Sequence, residues 1–205
     1  MKISKNQKAL SILNLIANEN PEILPRLVEK HRLNISNAVS NYHKNTVSYG
    51  PFKGLKLIND TSWSVADRGA MILGLYEQEI LNTLISIKPQ RKNFINIGAA
   101  DGYYGVGVLV NQLFEKSYCF ELSERGREII KKNATLNNVI ERIFIKGEAK
   151  NDFFKDVPNE DLNDSVLLVD IEGGEFELIN RALFEFLHKT IILIEIHDRI
   201  KDSDK

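Results

Sequence analysis

At 205 residues the chain has room for one domain with an appendage, and enough length to bury a full hydrophobic core. Hydrophobic residues at 43%, charged residues at 27% and a net charge of −1 are those of a globular protein, and no cluster of Lys and Arg offers a footprint for nucleic acid. The single cysteine, Cys119, excludes an internal disulfide and a cysteine-based zinc cluster and fits a reducing, cytoplasmic setting, while no run is long enough to span a bilayer.

Residues 5–19 place Leu10, Ile12, Leu13, Leu15 and Ile16 on one helical stripe, and Pro21 opens a second helix predicted to end near His31. Both read as a helical cap over one side of the core. Residues 34–60 read as a polar connector with a short strand at 55–58. The chain therefore divides into a helical extension and connector over 1–60 and a nucleotide-binding domain over 61–205. The pattern of 64–87, with Met71, Ile72, Leu75, Tyr76, Ile80, Leu81 and Leu84 apolar, predicts one long helix closed by Pro89.

The stretch from Asn93 to Gly105 organises the rest. Residues 93–97 read as a buried strand. A small-residue turn follows at Gly98, Ala99, Ala100, Asp101 and Gly102, and Tyr103 opens a helix predicted to reach Phe114. Free amides and the helix dipole at such a junction make a nucleotide-type pocket. Two readings stand side by side. Read from Ala100, the spacing Ala100-x-Gly102-x-x-Gly105 is a dinucleotide fingerprint with its first glycine replaced. Read from Gly98, with polar Asn96 one residue before the strand's end, the loop has the form found in enzymes that use S-adenosylmethionine (SAM).

A second strand over 117–121 ends in Glu121, followed by Leu122 and a helix over 123–136. A carboxylate at this tip can accept hydrogen bonds from both ribose hydroxyls. A third strand over 142–146 exits through Gly147, Glu148 and Ala149, which are expected beside the base. The fourth strand, 165–170, ends in Asp170, followed by Ile171-Glu172-Gly173-Gly174-Glu175 and a helix carrying Phe176, Leu178, Ile179, Leu183 and Phe186. A fifth strand over 190–196 ends in His197-Asp198. Ligands of open α/β sheets bind beyond the carboxyl ends of the strands, so these groups are expected at one crevice. Asp170, His197 and Glu172, in that order, are the candidates for a base that takes a hydroxyl proton. Glu172 can equally cap a helix N-terminus. No ligand spacing is diagnostic of a metal, and none is assigned.

Taken together, Asn96-Ile97-Gly98-Ala99-x-x-Gly102-Tyr103-Tyr104, Glu121, Asn133-x-x-Leu136-Asn137, Asp170-x-Glu172-Gly173-x-Glu175 and Glu195-x-His197 resemble the FkbM-type class I SAM-dependent methyltransferases. Tyr76-Glu77, ahead of the central strand, is similar to a position that family keeps. The resemblance covers roughly residues 70–198. It implies a Rossmann-like, doubly wound, mostly parallel sheet with strand order 3-2-1-4-5 and SAM as cofactor. It also implies methyl transfer to an oxygen of a small molecule or sugar, with Glu77, Asn96, Gly98 to Tyr103, Glu121, Leu122, Glu148, Ala149 and Asp170 around the cofactor.

Three positions depart from that family: Asn96 stands where it usually has Asp, Leu122 where it has Pro, and Leu168 where it has Lys. Class I sheets have seven strands, and the sequence supplies five, so the last two are expected to be missing. The apolar fifth strand would then be an edge, expected to pair with a second copy of the chain or to lie under the N-terminal helices. An NAD(P)-binding oxidoreductase and a non-catalytic SAM-fold scaffold are the alternative readings.

Overall fold

The structure, a computed structural model, describes residues 11–12, 14–15 and 23–197. Ser11, Ile12, Asn14 and Leu15 are helical, while Leu10, Leu13, Ile16, Pro21 and Asp198 lie outside the described residues. Five strands form one parallel sheet: β1 (Asn93–Ile97), β2 (Lys116–Phe120), β3 (Ile143–Lys146), β4 (Ser165–Val169) and β5 (Ile191–Ile194). Their order is β3-β2-β1-β4-β5, as predicted. Register decides what this sheet can do. Ile97 lies opposite both Phe120 and Val169, so β1, β2 and β4 end level. Gly98, Glu121 and Asp170 are the next residues, and all three emerge at the same rim.

Every residue of β1 and β4 is buried, which is why both read as continuous apolar runs. Side chains of β1 alternate between two layers. Phe94 packs with Leu81 and Leu84 of α3 (Gln78–Ile87), Val106 and Leu109 of α4 (Tyr103–Val110) and Ile130 of α5 (Glu124–Leu136). Ile95 and Ile97 face Phe153, Leu162 in α6 (Asn159–Asn163), Leu178 in α7 (Glu175–Leu178) and Leu183 in α8 (Arg181–Phe186). Helices therefore cover both faces, the doubly wound α/β arrangement.

The helix predicted over 64–87 is two helices, α2 (Val65–Leu73) and α3, broken at Gly74. Gly74 is left-handed (φ 69°), its N–H returns to the Ala70 and Met71 carbonyls, and a Cβ there would meet the Tyr49 carbonyl oxygen at 2.3 Å. Tyr76 and Glu77 consequently lie in the turn, and Leu75 is exposed. The helix after β4 is likewise two short helices, with the Asn180 side chain accepting from the Leu183 N–H at 3.1 Å to start the second.

The connector is more structured than its polar composition suggests. The helix expected to end near His31 runs on as α1 (Ile23–Tyr42), and the strand expected at 55–58 is a single bridge between Thr46 and Lys56. Val47, Phe52, Leu55 and Leu57 are all buried in the same cluster as α4. Phe52 fits where α4 has no side chain, since a Cβ on Gly107 would meet its ring at 2.6 Å. α1 docks on α2 by the same device. A Cβ on Gly69 would lie 2.8 Å from Ser36 Cα, and Ser36 Oγ accepts from the Gly69 N–H at 2.8 Å.

Candidate functional site

A cavity of about 520 Å³ opens at the rim where β1, β2 and β4 end. Its floor is Ile97, Gly98, Ala99, Ala100 and Asp101, its far side is Glu148 and Ala149, and α2 with the segment before it closes the top. Glu121, Leu122, Asp170 and Glu172 line it as well, and so does Tyr103. Four residues expected at the ligand stand elsewhere. Gly102, Asn96, Glu77 and His197 do not line this cavity.

The β1 loop is fastened by its own acids. Glu121 Oε2 accepts from the Ala100 N–H at 2.7 Å and Oε1 from the Ser123 N–H at 2.8 Å. Ala100 is held left-handed (φ 47°), an uncommon state for a residue with a side chain. Each oxygen of Glu121 keeps a second lone pair that can face a bound hydroxyl. Asp101 accepts from the Thr61 hydroxyl, from the Ser62 N–H at 2.8 Å and from the Ser62 hydroxyl at 2.5 Å. It ties the cavity's upper wall to the loop, with Oδ1 taking both bonds from Ser62 and Oδ2 the one from Thr61.

Gly98 is required for a reason different from the one its sequence suggests. A Cβ at this left-handed position (φ 82°) would meet the Asp170 carbonyl oxygen at 1.7 Å, so the obstacle is the neighbouring strand end rather than a ligand. Gly105, third in the dinucleotide spacing, faces the Cys119 sulfur at 2.2 Å from where its Cβ would lie, the close helix–strand packing that either nucleotide reading needs. Asn96 is 2% exposed on the α4 side of β1, and its Oδ1 has no hydrogen-bond partner among the described residues.

Beyond the cavity's β4 end is a cluster of acids around one histidine. Nδ1 of His197 donates to Oε1 of Glu175 at 2.8 Å, while its Nε2 lies 3.9 Å from Asp170, 3.7 Å from Glu172 and 3.7 Å from Glu195. Glu77, itself left-handed (φ 44°), accepts from the Tyr104 hydroxyl at 2.5 Å. One ligand atom each from Asp170, Glu172 and His197 lie within 4.8 Å of one another, as do those of Glu77, Asp170 and Glu195, the spacing at which one small cation could be held. Burial, then the charges of Glu195 and Glu77, push the Asp170 carboxyl up to about 7. Burial also raises Glu195, and the hydrogen bond to Glu175 raises His197.

One lining residue carried no sequence signal: Arg68, on the second turn of α2, is buried against the cavity. A lone Arg in an amphipathic helix reads as a solvated face, and only the fold of the 45–64 segment encloses it.

No family model matches the chain, and no curated protein matches it. Solved structures similar to it include an O-methyltransferase from Bacillus cereus in complex with SAH, at 20% identity over 58% of this chain and 56% of that one, with a TM-score of 0.44. TrmK of M. capricolum, in complex with its cofactor product S-adenosylhomocysteine (SAH), is 18% identical over 55% and 50% (TM-score 0.42). The tRNA methyltransferase TrmK of B. subtilis is 11% identical over 55% and 47% (TM-score 0.42). The matched region spans about half the length of these proteins.

Proposed function

We propose that the chain is a SAM-dependent methyltransferase of the FkbM type that methylates a hydroxyl of a small molecule or sugar. The observation that carries this reading is one cavity lined at one end by Glu121, bonded to the Gly98–Gly102 turn, and at the other by Asp170, whose carboxyl is half-buried among the acids at the end of β4. The residues fit the cofactor. The turn gives a backbone floor, Glu121 offers lone pairs to the ribose, and Glu148 and Ala149 line the side where the base would lie.

When bound, SAM supplies a methyl group on a sulfonium that departs as the neutral thioether SAH. The chain's part is positioning and proton removal. The cavity walls would hold the acceptor beside the bound cofactor, and for so reactive a donor positioning of this kind would supply most of the rate. Asp170 takes the hydroxyl proton, its carboxyl held near neutrality by burial and by Glu195 and Glu77. His197, oriented by Glu175, turns Nε2 toward Asp170 at 3.9 Å, a distance that one water would bridge.

Calorimetric titration with SAH and with NADH separates this reading from an oxidoreductase. A screen with methyl-labelled SAM over hydroxyl compounds then tests turnover. Heat with SAH and label in an acceptor are expected. NADH binding without SAH binding would overturn the reading, and SAH binding without transfer to any acceptor would leave a scaffold.

A further inference from the structure

Arg68 is 7% exposed, lines the cavity, and has no carboxylate within 4.0 Å among the described residues. Its Nη2 donates to the Ile58 carbonyl, but its Nε is buried without a partner. A guanidinium taken out of water is costly unless an anion meets it. The acids whose charge acts on it are Asp101 and Asp60. Both are already engaged, Asp101 by Thr61 and Ser62, Asp60 by Arg125 at 2.7 Å and the Thr61 N–H at 2.9 Å.

The charge pattern of the cavity says which anion is missing. Among the described lining residues Asp101, Glu121, Glu148, Asp170 and Glu172 are acidic, and Arg68 is the one cation. Such a wall repels most anions and accepts a ligand that is cationic along its length with one negative group at the Arg68 end. Arg68 sits at the β1-turn end of the cavity: Ile58, whose carbonyl it holds, donates its N–H to Asn133 Oδ1 at 2.8 Å, and Asn133 donates to the Asp101 carbonyl at 2.9 Å. We propose that Arg68 binds the α-carboxylate of the amino-acid portion of the cofactor, making α2 a wall that selects a zwitterionic ligand over other adenosine compounds. This rests on the SAM reading above.

The test compares SAH with its decarboxylated analogue, which keeps the nucleoside, thioether and amine. By calorimetry, the wild-type protein is expected to bind SAH at least about 10-fold tighter than the analogue. In R68Q that ratio is expected to fall to about 2 or less, because the analogue has no carboxylate to lose. R68K retains the charge without the fork and is expected to fall between the two. Because both ligands are titrated into each variant, the ratio is insensitive to general loosening of α2, and the wild-type ratio needs no variant at all. A wild-type ratio near 1 overturns the proposal. An undiminished ratio in a folded R68Q also overturns it while sparing the SAM reading, whereas failure of both ligands to bind the wild type overturns both.

Discussion

His197 Nδ1 stands 2.8 Å from Oε1 of Glu175, and this contact turns the other ring nitrogen toward Asp170, Glu172 and Glu195. Glu175 is 3% exposed. Burial disfavours its charge, yet the Gly173 N–H and His197 hold its carboxyl below the usual range. Because the folded value is depressed, the stability it supplies is present above about 4.5 and lost as pH falls through the folded value. His197 is raised by Glu175, so its contribution is complete below 6.5 and lost as pH rises through its own folded value. E175Q should therefore cost about 1–2 kcal/mol between about pH 5 and pH 6.5 and lower the His197 titration midpoint, read from its ring protons by NMR.

Asp170 has the opposite sign for an acid. Its folded value of about 7 lies above the unfolded 3.8, so the unfolded chain loses its proton first and stability falls across that interval. D170N should raise the melting temperature at about pH 8 and leave it unchanged near pH 4. The same variant should lower kcat by about 10²-fold or more, since a proton acceptor is gone. Stability gained with activity lost is the expected signature of a strained functional carboxylate.

Gly98 gives a structural prediction. Its Cβ would collide with the end of β4, and its φ is unfavourable for any other residue. G98A should destabilise the fold by at least about 2 kcal/mol in denaturant titration, and ligand binding should fall with it.

The β5 edge predicts assembly. Among the described residues β5 pairs with β4 alone, and Ile194, Ile196 and Phe176 are exposed. Static light scattering is expected to report a dimer, with I194K reducing it to a monomer without loss of secondary structure. A wild-type monomer at micromolar concentration would count against pairing through this strand.

Much of the rim was legible because β-strands with both faces buried announce themselves as apolar runs. The residue after each such run is at the carboxyl edge, and so Gly98, Glu121 and Asp170 could be placed before any coordinates. What was hidden depends on distant partners. Nothing near Gly74 marks it as a break, because the carbonyl that excludes a side chain belongs to Tyr49. Asp101 lines the cavity as expected, but its anchoring of Thr61 and Ser62, forty residues upstream, has no local sequence signal. Arg68 became visible only once the connector folded over it, and Phe52 needed Gly107 to become core.

Binding of SAH to wild type and E121A, measured by calorimetry, addresses the account most directly. One-to-one binding to the wild type is predicted, weakened about 10-fold or more in E121A, since both the ribose contact and the Ala100 anchor are removed. No heat from the wild-type protein, or equal affinity in the two, would contradict it.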